Sequence, residues 1–355
     1  MWSEFTYQAL PMRVVFGAGR SAHLAEEVTA LGLERVLVLC TPGRRDLAER
    51  MADGLGRRAI GVFAGARMHV PAETAEAARA AAAELGADGC VAVGGGSTIG
   101  LGKAVALRHG LPVVAVPTTY AGSEMTPVWG LTENGVKRTG RDPAVLPRSV
   151  VYDPELTLTL PVATSVTSGM NALAHAVEGL YAPDASPIVS LMAEDGARAL
   201  IEALPRVAAD SADLTARSRA LYGAWLCGAV LGATTMSLHH KLCHVLGGSL
   251  GLPHAEAHTV MLPHTLAYNQ PFAPAAVAVL TRVLGERADP ARTLWEFAHE
   301  LGAPHSLSEL GVREGDIGAV VEQALANPYA NPREVTADGL TALLHRALAG
   351  QPPTA

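Results

Sequence analysis

Gly89-Cys90-Val91-Ala92-Val93-Gly94-Gly95-Gly96-Ser97-Thr98 runs from a block of small apolar residues straight into three glycines and two hydroxyls. The apolar part reads as a buried strand, and Thr98 opens a helical stretch that continues to about His109. Glycines at such a junction let the backbone turn tightly and approach a ligand closely. The helix start beyond them offers unpaired N–H groups and a partial positive charge, which suits an anion such as a phosphate. The pattern is neither Gly-x-Gly-x-x-Gly nor a loop closed by Gly-Lys-Ser/Thr, and Lys103 stands further along the helix. Gly94, Gly95, Gly96, Ser97 and Thr98 are therefore the expected phosphate contacts.

The surrounding sequence repeats the strand-then-helix rhythm. Arg35–Cys40 and Ala59–Phe63 read as strands, Glu73–Leu85 as an alanine-rich helix, and Pro112–Val116 as a further strand. Such alternation implies an α/β, Rossmann-like domain with a mostly parallel sheet, placed at residues 1–158. A second polar turn, Pro117-Thr118-Thr119-Tyr120-Ala-Gly-Ser123, follows the next strand at the edge where nucleotides bind in open α/β sheets. Thr118, Thr119 and Ser123 are candidates for pyrophosphate or ribose. No acidic residue ends the strand at Cys40; Thr41-Pro-Gly-Arg44-Arg45 stands there, leaving NADH and NADPH both open.

After Asp153-Pro154-Glu155 the rhythm changes. Periodic apolar segments near 165–181, 187–204, 214–231, 235–246, 272–284, 291–301, 314–326 and 337–349 predict an all-helical domain over 159–355. A chain of 355 residues is long enough for two cores, and ligand pockets favour domain junctions.

Composition narrows the function classes. The net charge of −7 offers no basic stripe for nucleic acid, although a local cleft can still attract a small anion. Cys40, Cys90, Cys227 and Cys243 are scattered without a Cys-x-x-Cys, as buried thiols would be. No basic-then-apolar leader opens the chain and no apolar run reaches the length of a membrane span, so a cytoplasmic protein is expected.

Six of the thirteen histidines fall between His239 and His264. His240 and His244 stand four apart, as do Asn171 and His175, and residues four apart share a helix face. Two helices can thus aim two pairs at one pocket, with His254 following in Leu-Pro-His254. Such a constellation ordinarily binds a divalent metal, yet Asn171 stands where a metal site would want a carboxylate. His239, His258 and His264 read as ordinary buried histidines, His264 as the cap of a turn started by proline. Tyr120 is a candidate substrate contact with a structural role as the alternative. Lys137 and Arg141 lie in a glycine-bearing turn.

Taken in order, Gly94-Gly-Gly-Ser97, Pro117-Thr-Thr119, Asp153-Pro-Glu-Leu-Thr, Gly169-Met-Asn-Ala-Leu-Ala-His175 and the His240…His254 block resemble the iron-containing alcohol dehydrogenases. The resemblance implies a nucleotide-binding domain followed by a helical domain, the fold of dehydroquinate synthase. Its four metal ligands would fall on Asn171, His175, His240 and His254, its substrate-side histidine on His244 and its nicotinamide-ribose lysine on Lys137. Asn171 replaces the usual Asp, Thr98 the usual Pro, and Gly100 a usual Asp. The Gly94–Lys103, Thr119–Pro127, Gly140–Pro143 and Leu252–Glu256 segments look like the maleylacetate reductase subgroup. That subgroup reduces maleylacetate or its chlorinated analogues to 3-oxoadipate in aromatic-compound catabolism and is generally regarded as metal-independent. A homodimer is the assembly such relatives imply.

The residues agree with that direction. A pocket of His175, His240, His244 and His254 with neutral Asn171 holds no anionic ligand, so it disfavours a metal and favours a small dianionic substrate. The expectation is a metal-independent oxidoreductase using NADH, with NADPH as the alternative. Two competing readings keep the same fold: a metal-dependent (Fe/Zn) alcohol or polyol dehydrogenase, and a redox-silent lyase or cyclase of dehydroquinate-synthase type.

Overall fold

The computed structural model describes residues 4–133, 136–285 and 289–355, with backbone alone at 136 and 137. In chain order the elements are β1 (Arg13–Phe16), α1 (Leu24–Ala30), β2 (Val36–Leu39), α2 (Arg45–Leu55), β3 (Ala59–Phe63), α3 (Ala72–Glu84), β4 (Gly89–Gly94), α4 (Gly96–His109), β5 (Val113–Pro117), β6 (Val128–Glu133), β7 (Val136–Arg141) and β8 (Ser149–Tyr152). Helices follow: α5 (Val162–Leu180), α6 (Pro187–Ala209), α7 (Leu214–Ala233), α8 (Leu238–Leu250), α9 (His254–Asn269), α10 (Pro274–Val283), α11 (Pro290–Glu300), α12 (Ile317–Leu325) and α13 (Ala337–Leu348).

Six strands pair in parallel in the order β1-β8-β5-β4-β2-β3. Alternation along β2 explains the layers. Val36 and Val38 face α1 and α2 with Val91 and Val93 of β4, whereas Leu37 and Leu39 join the alanines of α3 and Leu101 of α4. Both faces are covered, so the central strands β2, β4 and β5 are buried and free of polar side chains at every position. Strand order reverses between β2 and β4, which puts the end of β4 at the switch point of the sheet.

Two compact units divide the chain. Ala9–Leu160 with Ala212–Leu221 form the first, and Pro161–Ser211, Tyr222–Ala355 and the described part of Met1–Gln8 form the second. Compared with a single cut after 158, residues 4–8, 159–160 and 212–221 change sides. The second unit is helical, and no strand occurs past Tyr152 among the described residues. No single described helix is long and apolar enough to cross a membrane.

Three expectations need correction. β1 and β8 were not anticipated: each opens on a polar residue, Arg13 or Ser149, and leaves an apolar run of only three. The segment around Arg141 is not a turn but one arm of the antiparallel β6–β7 hairpin. Most consequential, Pro263 does not start a turn; it lies inside α9, a helix of 16 residues. Proline there removes one backbone hydrogen bond, but α9 is buried on every side from Ala257 to Asn269, and packing against α5, α8 and α11 outweighs the lost bond.

Candidate functional site

In the first unit, β4 delivers the chain into its glycines. Gly94 has φ 153, and a Cβ there would collide with Thr98 Oγ1. A Cβ on Gly95 would lie 2.8 Å from Thr119 Cγ2, so the two polar turns touch through a glycine that must stay bare. The Thr118 N–H donates to Gly94 O at 3.2 Å and locks the turns together. Thr98 Oγ1 and Ser123 Oγ are buried and have no hydrogen-bond partner among the described residues, and both sit beside these turns. Free hydroxyls at a helix start and bare glycines fit the phosphates of a dinucleotide.

Lys103 serves this loop differently from a phosphate lysine. Its buried ammonium donates to Ser123 O at 2.5 Å, Thr126 Oγ1 at 2.9 Å and Val128 O at 2.8 Å, pinning the 123–128 segment onto α4. Burial pulls Lys103 down to about 7, with Glu124 opposing. Burial also raises Glu124, whose Oε1 accepts from Tyr152 OH at 2.7 Å.

Tyr120 is fully enclosed, and its hydroxyl accepts from Arg217 Nη1 at 3.3 Å while Arg217 Nη2 donates to Leu160 O at 2.9 Å. These contacts hold the Tyr120 ring against Arg217 inside the first unit. The Lys137 side chain lies outside the described residues. Gly100 has a local reason: a Cβ there would lie 2.7 Å from Val70 Cγ2. Val70 and His69 both have positive φ (46° and 61°), held by Thr132, whose Oγ1 donates to His69 O at 2.8 Å.

In the second unit, three helices bring the histidines together. One face of α5 carries Asn171, His175 and Glu178; α8 carries His239, His240, Cys243 and His244; α9 carries His254 and His258. Ring centroids lie 5.2 Å apart for His175–His240, 6.2 Å for His240–His244 and 6.4 Å for His244–His254. His258 is at the middle of the group, 4.2 Å from His254, 4.7 Å from His239, 5.0 Å from His240 and 6.4 Å from His175. His239 and His258, set aside as ordinary core residues, are thus part of the cluster. His264 is buried but makes no ring contact with it.

Glu178 organises the cluster, and the sequence reading missed it. Its carboxylate is fully buried and accepts from the Ser237 and His239 backbone N–H groups at 2.9 and 2.7 Å, capping the start of α8. Its Oε2 also accepts from His240 Nδ1 at 2.7 Å. The available signal was its spacing, three residues beyond His175 and seven beyond Asn171 on one helical face. Burial, more than repulsion between the imidazoles, holds His175, His239 and His258 well below the usual histidine range.

The residues at the four matched ligand positions do not fit iron as the family binds it. Asn171 brings no charge, and the nearby carboxylate of Glu178 is spent on α8 and on His240. The trio whose donor atoms all come within 4.8 Å of one another is instead His239, Cys243 and His258, which contains none of those four positions. Within that trio His239 Nε2 and His258 Nδ1 already hydrogen-bond each other at 2.9 Å. All four cysteines are buried and none is in a disulfide.

Comparison with known proteins agrees with this architecture. Residues 11–154 match the iron-containing alcohol dehydrogenase family, and residues 165–348 match the Fe-containing alcohol dehydrogenase family, C-terminal part. A maleylacetate reductase of Burkholderia cepacia is 56% identical over 352 residues, covering 99% of this chain and all of that one. Among solved structures, maleylacetate reductases from Agrobacterium tumefaciens and a Rhizobium species are each 55% identical over 99% of this chain and all of theirs, with TM-scores of 0.95 and 0.94. Full-length matches of this kind leave one conclusion: the chain belongs to the iron-containing alcohol dehydrogenase family and is an oxidoreductase.

Proposed function

We propose that this enzyme reduces the conjugated carbon–carbon double bond of maleylacetate to 3-oxoadipate, with NADH or NADPH as hydride donor, in the breakdown of aromatic compounds. The observation that carries the proposal is identity of 52–56% over nearly the whole chain to relatives described as maleylacetate reductase. The glycine turn, Thr118, Thr119 and Ser123 would hold the cofactor's phosphates.

Hydride added to the alkene carbon β to the ketone leaves an enolate, with charge growing on the ketone oxygen. Preorganised donors aimed at that oxygen lower the barrier. His240 is the ring we assign to that oxygen, because Glu178 Oε2, 2.7 Å from its Nδ1, fixes its orientation. Neutral Asn171 matters for the same substrate. Two like charges 4 Å apart cost about 4 kcal/mol at an effective dielectric of about 20, so an Asp here would oppose a dianion. No step in this scheme passes through a metal.

The decisive experiment offers maleylacetate to the purified enzyme and follows the absorbance band of the reduced nicotinamide. Loss of that band with formation of 3-oxoadipate, unchanged after dialysis against a chelator, is the expected result. A flat trace with both NADH and NADPH would sink the proposal.

A further inference from the structure

The start of α8 is capped from two sides, and only one of them is Glu178. The first four N–H groups of a helix have no partner within it. In α8 these belong to Ser237, Leu238, His239 and His240, because the Lys241 N–H is the first to reach back, to Ser237 O at 3.1 Å. Ser237 stands at the capping position, yet its hydroxyl makes no cap hydrogen bond. Glu178 instead accepts from the Ser237, His239 and His240 N–H groups at 2.9, 2.7 and 3.4 Å. The Leu238 N–H donates to Asn331 Oδ1 at 3.4 Å, across 93 residues of chain.

Asn331 stands in the loop between α12 and α13, and both polar atoms of its amide are committed. A backbone N–H can only donate and a carbonyl only accept. The Leu238 N–H and Arg333 O, 2.7 Å from Nδ2, therefore fix which way this amide faces. Asn269, fully buried at the end of α9, pairs with it reciprocally. Asn269 Nδ2 donates to Asn331 Oδ1 at 2.9 Å, and Asn331 Nδ2 donates to Asn269 Oδ1 at 2.7 Å. Arg333 holds the loop to the same helix end: its Nη1 donates to Tyr268 O at 3.2 Å, and its guanidinium lies 4.2 Å over the Tyr268 ring. Tyr268 OH donates in turn to Glu334 O at 2.6 Å. Pro332 adds stiffness, since a following proline disfavours helical backbone at residue 331. One side chain thus ties the start of α8 to the end of α9, the two helices that carry His240, His244, His254 and His258.

We propose that Asn331 is a positioning residue for the reduction: with Glu178 it clamps the start of α8 and so sets where His240 meets the enolate oxygen. The second half of that statement rests on the reductase reading above. His240 lies two residues past Leu238 on the clamped turn, and its ring is held by the carboxylate that takes the other three N–H groups. A slip of this turn moves the ring and its cap together. Misplacement by about 1 Å can cost about 100-fold in rate. The glycine turn and Ser123, which would hold the cofactor's phosphates, belong to the first unit. The expected loss is therefore in kcat rather than in cofactor binding.

Amide hydrogen exchange of the native enzyme tests the clamp without substrate. Leu238 should be as protected as Ser237 and His239, and fast exchange at Leu238 alone would overturn it. Asn331→Ala should open Leu238 to exchange and shift the ¹⁵N signals of the His240 ring, while those of His264, outside the cluster, stay in place. Its kcat with maleylacetate should fall about 10-fold or more, with KM for NADH changed less than about 2-fold. Asn331→Asp, which keeps an oxygen toward the Leu238 N–H, should hold kcat within about 3-fold of native. If Asn331→Ala melts at a lower temperature but keeps native kcat and unmoved His240 signals, Asn331 anchors the loop only and the proposal fails. If that variant does not fold, Asn269→Ser, which breaks the amide pair from the other side, is read in the same way. Failure of the native enzyme to oxidise NADH with maleylacetate would instead defeat the reductase reading and leave the exchange and ring signals to decide the clamp.

Discussion

Glu178 Oε2 lies 2.7 Å from His240 Nδ1, and the same carboxylate caps the helix on which His240 stands. Cap and ring partner are thus one group, so the orientation of His240 is coupled to the start of α8. Charge-assisted hydrogen bonds contribute about 1.5–3 kcal/mol each. Glu178→Gln keeps one oxygen for the cap but turns an amide donor toward Nδ1–H; it should lower stability by about 3 kcal/mol in urea melts. Turnover should fall with it while KM for NADH stays near native. His240→Ala should likewise reduce kcat more than it weakens NADH binding, because the loss concerns charge that develops during reaction. Equal losses in both would contradict the role given to His240.

Asn171 is the second position with a defined direction. Buried four residues before His175 on α5, it offers a carboxamide where a carboxylate would attract a cation. Asn171→Asp should raise the amount of divalent metal that copurifies, measured by elemental analysis, and cut activity on maleylacetate at least 10-fold. Native activity with no added metal would remove the electrostatic argument for this residue.

The glycines make a cofactor prediction. Gly95→Ala places a methyl 2.8 Å from Thr119 Cγ2, closer than carbon atoms settle, and pushes apart the two turns expected to hold the phosphates. NADH affinity by fluorescence titration should drop 10-fold or more, with little change in melting temperature. Gly100→Asp, which restores the family's usual residue, meets Val70 Cγ2 at 2.7 Å and should destabilise the protein instead.

Much of this was legible in the sequence because the α/β half writes its layers as uninterrupted apolar runs, such as Val36–Leu39 and Gly89–Gly94. Four of the six sheet strands announce themselves that way. Arg13–Phe16 and Ser149–Tyr152 do not, since each opens on a polar residue and leaves an apolar run of only three. Asn171 with His175 and His240 with His244 were readable because each pair lies within one helix. His258 was hidden by Pro263: a proline that reads as a breaker concealed the helix on which His254 and His258 share a face. Glu178 was hidden for another reason. Its partners, the α8 N–H groups and His240, lie about sixty residues downstream, and no local pattern reports such a contact.

Acid should expose the cost of keeping these rings neutral. Burial, with Arg346 adding to it, pushes His264 down to about 4 from an ordinary 6.5. The folded protein therefore resists protonation at a pH where the unfolded chain already accepts it. Stability contributed by neutral His264 is full above 6.5 and is lost as pH falls toward 4, by about 1.4 kcal/mol per pH unit and roughly 3 kcal/mol across the window. His175, His239 and His258 act in the same direction. Melting temperature should decline steadily from pH 6.5 to 4, and His264→Gln should flatten part of that slope. A melting temperature independent of pH across that interval would mean that these rings accept protons in the folded state.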